Sequence, residues 1–383
     1  MSRWTSRLVL AVAFIAPLTA RAQAPAGSGI SLTTRDRIGS NAGWWPTKGD
    51  AARSLYAGAD ACKTCHRAIT ATQQTTPMFH AATLATESEI LKKHEQLTFQ
   101  EPGFNYSLVH TPQGATFSVS DGANNQSQPA IWALGTGEVG QTYVLEKSGA
   151  LTETRLSYFT SIDALDITPG QKAKPPDGLE KALGHGMDSG VTRLCFGCHT
   201  TASSTSGVFD LDKATPGVTC AACHGPGARH VAAMKIQQFE KGLALIMNPQ
   251  RLSPADSVDF CGACHRTWAD VAMDMPSNLG LTTLRFQPYR LEQSRCWGKN
   301  GDVRITCIAC HDPHQPLVRE LTAYDSKCIA CHSGKAIHTA AKTVCKVATR
   351  NCVSCHMPRV EVPQTHATFT DHDIRIVASP AAP

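Results

Sequence analysis

The pattern Cys-x-x-Cys-His occurs seven times in this chain of 383 residues, and no other feature restricts the possible folds as strongly. The copies begin at Cys62, Cys195, Cys220, Cys261, Cys307, Cys328 and Cys352, and they use 14 of the 16 cysteines. Redox dithiols and zinc sites also contain two cysteines at this spacing, but neither requires a histidine after every pair. The repeated pattern is the one used for covalent attachment of haem.

Seven attached haems are therefore predicted, each held by two thioether bonds and one axial histidine. The cysteines that would form the thioethers are Cys62, Cys65, Cys195, Cys198, Cys220, Cys223, Cys261, Cys264, Cys307, Cys310, Cys328, Cys331, Cys352 and Cys355. The histidines that would be the proximal iron ligands are His66, His199, His224, His265, His311, His332 and His356.

The N-terminus predicts export. Arg3 and Arg7 precede an apolar run at 8–16, and the residues at 20–22 have the form Ala-x-Ala. This arrangement is typical of a secretory signal peptide that is cleaved before Gln23. The apolar run is too short for a membrane anchor, and no later segment approaches about 18 uninterrupted apolar residues. We expect a periplasmic or otherwise exported protein with no transmembrane segment after cleavage.

The charge of the chain gives no indication of nucleic-acid binding. The formal charge of +5 falls to +2 when the three arginines of residues 1–22 are removed. A ferric haem with two neutral axial ligands contributes roughly −1 through its propionates, so seven haems would bring the protein to roughly −5.

The distribution of the motifs predicts the domain organisation. Residues 1–22 are the predicted signal peptide, 23–50 a leader, 51–194 an N-terminal region with one haem, 195–377 a six-haem region, and 378–383 a disordered tail. Six motifs lie within 195–356, about 27 residues for each. So short a chain cannot build an ordinary core around each cofactor. We expect a mainly α multihaem cytochrome c fold, with much irregular chain wrapped around haems that supply the apolar interior.

Local patterns predict a small β-hairpin insertion near 100–160. Alternating and β-branched residues indicate hairpins within 104–122 and 141–160, with turns at 112–114 and 147–149. Tyr106, Tyr143 and Tyr158 are expected to pack in these strands. A helix over 232–245 is expected to pack against a porphyrin face.

Nine histidines remain after the seven proximal ligands: His80, His94, His110, His185, His230, His314, His338, His366 and His372. Seven haems need seven distal ligands, and imidazole is a preferred ligand for iron. Met78, Met187 or Met357 is an alternative ligand that would raise the potential of its haem. His230 and His314 follow their own motifs so closely that each is expected to reach a neighbouring haem.

Four segments resemble the cytochrome c-554-type multihaem cytochromes: CHGPGARH at 223–230, CHDPH at 310–314, CHMP at 355–358 and FTDH at 369–372. That group lies in a class that also contains pentahaem nitrite reductase and hydroxylamine oxidoreductase. The similarity is spread over 62–377, although the chain carries seven motifs where cytochrome c-554 has four.

The resemblance implies haems packed in parallel and perpendicular pairs, irons with mostly two histidine ligands, and electron transfer in the periplasm. It implies distal ligation first by His230, His314, His366 and His372, and then by His94 and His80.

Three functions remain open at this point. An electron carrier is favoured, because the spare histidines exceed the number of haems and an open catalytic iron needs a missing ligand. The alternative is an oxidoreductase with one open haem that acts on a small nitrogen or sulfur compound, but the CxxCK motif of nitrite reductases is absent from the sequence. Haem storage or a structural coat is least favoured. The expected partners are redox proteins, such as a quinol-oxidising membrane complex or other cytochromes, while oligomerisation stays open.

Two further features lie outside the motifs. Arg285, Tyr289, Arg290 and Arg295 cluster in the sequence, and we expect the arginines to pair with haem propionates, with a substrate pocket as the alternative. Cys296 and Cys345 have no CxxC partner, and an oxidising compartment favours a disulfide between them over two buried free thiols.

Overall fold

The structure is a computed structural model that describes residues 51–205, 208–274, 280–294, 296, 297, 305–332, 345 and 347–376, together with 34, 38 and 44–47. The predicted signal peptide, His338 and Arg295 lie outside these residues.

The largest element is an antiparallel sheet of nine strands, in which β2 to β8 follow one another in chain order, β1 pairs with β5 and β9 pairs with β7. The strands are β1 Ala82–Leu84, β2 Gln96–Glu101, β3 Phe104–Thr111, β4 Gly114–Ser120, β5 Asn125–Leu134, β6 Gly140–Lys147, β7 Ala150–Phe159, β8 Ala164–Ile167 and β9 Gly184–Met187. Strands β2 and β8 also contact each other, so the sheet is nearly closed.

Alternation of apolar and polar residues builds this sheet. Along β4 every second side chain is buried, as expected when successive side chains point to opposite faces. The buried face forms a core that contains Tyr106, Phe117, Tyr143 and Tyr158. The two predicted hairpins are confirmed, since β3 pairs with β4 and β6 with β7, and the packing role of the three tyrosines is confirmed as well.

The predicted fold class is wrong. Helices, including 3-10 turns, hold 39% of the described residues and strands hold 25%, so the protein is not mainly α-helical. The β-structure is not a small insertion near 100–160 but a sheet that runs from Ala82 to Met187. The sequence prediction weighed the dense motifs of the second half and found only four of the nine strands of the sheet. Of the missed strands, β1, β8 and β9 are too short to carry much periodic pattern of their own.

A buried ion pair joins β7 to β2, the first strand of the chain-ordered path. Arg155 of β7 donates from Nε to Glu101 Oε1 at 2.6 Å and from Nη2 to Glu101 Oε2 at 2.7 Å, and Glu101 ends β2. Tyr106 also donates its hydroxyl to Glu101. Burial alone would raise the pKa of Glu101, but the hydrogen bonds from Arg155 and Tyr106 outweigh it and hold that pKa below its usual value.

The helices are short and lie mostly after the sheet. They are α1 Ala59–Lys63, α2 Arg67–Gln73, α3 Glu89–Lys93, α4 Leu179–Leu183, α5 Ser189–His199, α6 Cys220–His224, α7 Ala228–Lys235, α8 Phe239–Ala244, α9 Pro254–His265, α10 Trp268–Asp274, α11 Gln287–Leu291, α12 Cys307–Cys310, α13 Asp325–His332 and α14 Cys352–His356. The 3-10 helices are Arg53–Leu55, Ala85–Glu87, Leu211–Lys213, Pro249–Arg251, Gly280–Arg285 and Leu321–Tyr324. Three small hairpins pair β10 Thr200–Thr201 with β13 Thr215–Pro216, β11 Ser204–Thr205 with β12 Val208–Phe209, and β14 Arg359–Val362 with β15 Ala367–Thr370.

The helix predicted over 232–245 is two helices. Helix α7 ends at Lys235, and Gln237 has a positive φ of 60°, which an L residue in a right-handed helix does not adopt. Helix α8 then starts at Phe239. Within the described ranges, no helix has the length and apolar character needed to cross a membrane.

Candidate haem-binding cavity

Each of the seven motifs begins on a short helix. Five of these helices, α5, α6, α9, α13 and α14, end on the histidine of the motif, whereas α12 ends at Cys310, directly before its histidine, and α1 ends at Lys63, inside its motif. Residues three apart lie on the same face of a helix, so the two cysteines point the same way in the six motifs whose cysteines both lie on the helix. The caps are local: the side chain of Asp188 accepts from Val191 N at the start of α5, and Ser253 accepts from Asp256 N at the start of α9.

All seven motif histidines line one cavity of about 3550 Å³. Ordinary small-molecule pockets measure roughly 300–1,000 Å³, so this cavity is large enough for several groups of that size. Twelve of the fourteen motif cysteines line it too, Cys195 and Cys355 being the exceptions. The structure therefore brings together motifs that the sequence separates by up to 290 residues.

The cavity wall suits flat apolar groups. Large apolar side chains lie exposed along it, among them Ile69, Phe239, Leu243, Leu317 and Val318. Phe239 and Leu243 are 57% and 51% exposed, which is unusual for such side chains on a helix that faces a cavity. Porphyrin rings packed against this wall would supply the apolar partners that the side chains need.

Five histidines of the cavity are oriented by backbone carbonyls. The Nδ1 atoms of these rings lie at hydrogen-bond distance from a carbonyl: His199 from Ala81 O at 2.8 Å, His224 from Met247 O at 2.8 Å, His230 from Gly242 O at 2.8 Å, His356 from Arg375 O at 2.7 Å and His372 from Thr370 O at 2.9 Å. A histidine that binds a metal usually donates its second ring N–H in this way. The contact selects the tautomer whose Nε2 lone pair is available to iron.

Two pairs of rings have the separation expected across one iron. With metal–nitrogen bonds of about 2.0 Å, two imidazoles on opposite faces of an iron have centroids roughly 6 Å apart. The rings of His224 and His314 are 5.9 Å apart with planes 11° from parallel. Those of His311 and His372 are 6.2 Å apart at 38°. Each pair joins a motif histidine to a spare one.

Burial favours the neutral form of His224, His311 and His372, which is the form in which histidine binds a metal. It lowers the pKa of His224 and His311, and it lowers the pKa of His372 to about 4. His265 also lines the cavity, and the protein atoms around it remove enough water to lower its pKa.

Thiol contacts show which motifs are neighbours. The thiols of Cys62 and Cys220 lie close enough to interact, and their interaction raises the pKa of Cys62 and lowers that of Cys220 to about 7. The same kind of contact joins the first cysteines of the motifs at 261 and 307, and of those at 328 and 352. Cys198 Sγ lies 3.7 Å from Ala263 O inside the fourth motif. Adjacent attachment sites are thus in direct contact.

A carboxylate ties the last two motifs together. Asp325, the first residue of α13, accepts from Asn351 N at 2.6 Å and from Cys352 N at 2.8 Å, where α14 begins. These backbone hydrogen bonds hold the pKa of Asp325 below its usual value. The side chain therefore caps a helix 26 residues further along the chain, which no local capping pattern in the sequence indicates.

Three of the eight described spare histidines line the cavity, namely His230, His314 and His372. Two other candidates for distal ligation, His366 and His94, lie outside the cavity and contact carboxylates. His366 Nε2 is 2.7 Å from Asp166 Oδ2, and His94 Nε2 is 3.2 Å from Asp163 Oδ1. His80 is exposed and packs against the ring of Phe79. Distal ligation by His366, His94 and His80 stays a prediction.

Of the remaining histidines and the three candidate methionines, some line the cavity and others do not. His110 lies in β3 and His185 in β9, and neither lines the cavity. Met78 and Met357 line it, whereas Met187 is buried against the sheet.

The arginine cluster separates in the structure. Arg290 is held by Asp371, with Nε 2.8 Å from Oδ1 and Nη2 2.9 Å from Oδ2, so its fork is already engaged by a carboxylate of the chain. Arg285 lines the cavity instead, and Tyr289 lies on α11.

Cys296 and Cys345 both line the cavity, and the structure records them as separate thiols. The disulfide between them stays a prediction. If it forms, it closes a loop of about 50 residues and stabilises the folded protein by about 4 kcal/mol, less any strain. Alkylation of the denatured, non-reduced protein is expected to label neither cysteine. Two labelled thiols at these positions would show that the bond does not exist.

Sequence reasoning missed the groups that orient the motif histidines. The carbonyls of Ala81, Met247 and Arg375 belong to no motif, and they lie 118, 23 and 19 residues from the rings that they contact. Every residue has such a carbonyl, so no residue type marks the few that are used. Among the described residues, no group of three or more His, Cys, Asp or Glu is arranged to hold a metal ion alone.

Comparison with known proteins gives a partial match. The family described as cytochrome c554 and c-prime matches residues 168–225, which contain the motifs at Cys195 and Cys220. No curated protein matches the chain. Among solved structures, the crystal structure of the outer cell wall cytochrome OcwA is similar, with a TM-score of 0.45 and 16% identity, covering 84% of this chain and 80% of that chain. The matched segment is similar to that family and contains two of the seven motifs, which fits covalent attachment of haem c there.

Proposed function

We propose that this protein is an exported heptahaem c-type cytochrome that carries electrons through closely packed haems. The observation that carries the proposal is the convergence of all seven motif histidines on one cavity. A haem iron with two axial ligands takes up and releases one electron, and its axial ligands set its potential.

The chain's own groups fit this role. In the proposal, His224 and His314 are the two axial ligands of one iron, and His311 and His372 those of another, as their ring separations support. A backbone carbonyl holds one ring of each pair, His224 and His372, so these ligands need not move when the charge of the iron changes. The contacts between neighbouring attachment sites support electron transfer from one site to the next.

A second candidate is an oxidoreductase in which one haem keeps an open face for a small nitrogen or sulfur compound. The observation that favours it is that, of the described spare histidines, three line the cavity, fewer than the seven that a fully ligated set needs. Methionine ligands at Met78 and Met357 would reduce this difference.

Export and partners complete the proposal. A signal peptide removed before Gln23 would deliver the chain to the periplasm or beyond, and the match to a c-type cytochrome segment fits an exported protein. The partners would be redox proteins, such as a quinol-oxidising membrane complex or another cytochrome. N-terminal sequencing of the mature protein tests the cleavage site.

The haem content is tested by intact mass after acid–acetone extraction, which removes haem that is not covalently attached. The mature protein is expected to keep seven haem masses, because each motif provides two thioethers. The variant with Cys352→Ser and Cys355→Ser is the matched control and is expected to keep six. Loss of all haem on extraction would contradict covalent attachment.

The function itself is tested on the same holoprotein. We expect reversible reduction in a redox titration, mainly low-spin haem in the electron paramagnetic resonance spectrum, rapid reoxidation by an added c-type cytochrome, and little turnover of nitrite or hydroxylamine. Rapid multi-electron conversion of either compound, together with a high-spin signal in the resting protein, would replace the carrier by the second candidate.

A further inference from the structure

Two arginine side chains lie against one aromatic ring, and one of them, Arg285, lines the cavity. Phe286 is buried, and its ring centroid is 5.0 Å from Arg285 Cζ and 5.8 Å from Arg266 Cζ. Arg266 directly follows the motif histidine His265 and has a positive φ of 63°, which turns the chain sharply after α9. Tyr289 N donates to Arg266 O at 3.1 Å and fixes this turn against α11.

Arg285 lacks a partner at an atom that water does not reach. Its Nε is buried, and the described residues provide no hydrogen-bond acceptor for it. Burial lowers the pKa of Arg285, and the positive charge of Arg266 lowers it further. A buried guanidinium beside a second cation is costly unless an anion compensates its charge, and the unpartnered Nε of Arg285 is where such an anion can bind.

Arg290 shows how the chain satisfies an arginine that it uses internally. Five residues after Arg285, it has a bidentate pair with Asp371. Arg285 differs because it lines the cavity, where the planar fork of its donors can meet a bound group. The contrast points to an anion that comes from outside the protein chain.

We propose that Arg285, with Arg266 beside it, forms a binding site for a carboxylate or a small oxyanion at the cavity wall next to His265. The anion has two possible sources: a propionate of an attached haem, or a dissolved anion such as nitrite or phosphate. If the anion is a propionate, the inference rests on the proposed function, and Arg285 is the residue that holds the propionate of that haem. With a dissolved anion, it identifies an anion site in the cavity.

The test compares Arg285→Met and Arg285→Lys with Arg251→Met in the holoprotein. Arg251 is exposed and does not line the cavity, so its replacement removes one positive charge without touching the site. Lysine keeps the charge at 285 but loses the bidentate fork, and it also guards against misfolding of the methionine variant.

Two measurements identify the anion. Infrared difference spectra between oxidised and reduced protein, with no added anion, are expected to show a shifted carboxylate band in Arg285→Met, a smaller shift in Arg285→Lys and none in Arg251→Met; this result assigns a propionate. Calorimetric titration with sodium nitrite and with phosphate tests for a dissolved anion. A dissolved anion is assigned if the wild type and Arg251→Met bind one equivalent and Arg285→Met binds it at least tenfold more weakly. The absence of both effects would overturn the site. Intact mass and spin state are measured on the same samples, so failure of the proposed function would be seen separately as lost haem or altered spin.

Discussion

Replacement of His314 by alanine is expected to convert about one haem in seven from low-spin to high-spin while all seven remain attached. The reason is that His314 is 5.9 Å from His224, at the separation of two ligands on one iron, whereas thioether attachment does not involve His314. The electron paramagnetic resonance spectrum of the oxidised protein should gain a high-spin signal, and the reduced protein should bind about one equivalent of carbon monoxide. His372→Ala should give the same result at the iron of His311.

Two control variants make this result specific. His185 is exposed in β9 outside the cavity, and His185→Ala is expected to leave the spectrum unchanged. His366→Ala should also leave it unchanged if the ring stays paired with Asp166, and a new high-spin signal from it would instead support the sequence prediction that His366 is a distal ligand. An unchanged spectrum in His314→Ala would mean that this ring only packs against His224.

Replacement of Arg155 by methionine is expected to lower the free energy of unfolding of the sheet by about 3–5 kcal/mol, because it leaves the Glu101 carboxylate buried without its partner. The side chains of Arg155 and Glu101 are 4% and 6% exposed, and the pair joins β7 to the end of β2, where the sheet nearly closes. Hydrogen exchange of the amides in β2 and β7 of the holoprotein measures the loss without interference from haem absorption.

An exposed ion pair provides the matched control. Arg319 and Glu138 are 65% and 48% exposed, so Arg319→Met should cost only about 0–1 kcal/mol. Replacing both partners, with Arg155→Met and Glu101→Leu together, should cost less than Arg155→Met alone, since no buried charge is left. Equal decreases in the free energy of unfolding in Arg155→Met and Arg319→Met would show that burial of the pair does not increase its contribution to stability.

The pH dependence of the same variant follows from the lowered pKa of Glu101. A carboxyl whose pKa is lower in the folded protein stabilises it above its unfolded pKa of about 4.3, and this contribution is lost as the pH falls through the folded value. In Arg155→Met, burial acts on Glu101 without the offsetting hydrogen bonds from Arg155, so the pKa of Glu101 is higher in the variant than in the wild type. The difference between wild type and Arg155→Met should therefore be largest at pH 7 and shrink steadily on acidification, as Glu101 becomes protonated first in the variant and then in the wild type. A difference that grows on acidification would contradict this origin.

The sequence predicted local features of the protein and the fold only in part. The hairpins β3–β4 and β6–β7 were predictable because alternation and a turn residue act within about 20 residues. The remaining strands were missed. Strand β9, for instance, contains Gly184 and Gly186 and becomes a strand only because β7 offers it an unpaired edge.

The candidate site, too, was predictable from the sequence only in part. The spacing of cysteines and histidine alone predicted the seven attachment motifs, because thioether formation to haem uses two thiols three residues apart with an imidazole next to them. The ring partners of His224 and His311 were decided only by the tertiary structure. His314 lies three residues from His311 in the chain, yet its ring centroid lies 5.9 Å from that of His224, and the ring of His372 lies 6.2 Å from that of His311. Each of these ring pairs joins two segments that are distant in the chain. The sequence does not indicate which segments the fold brings together.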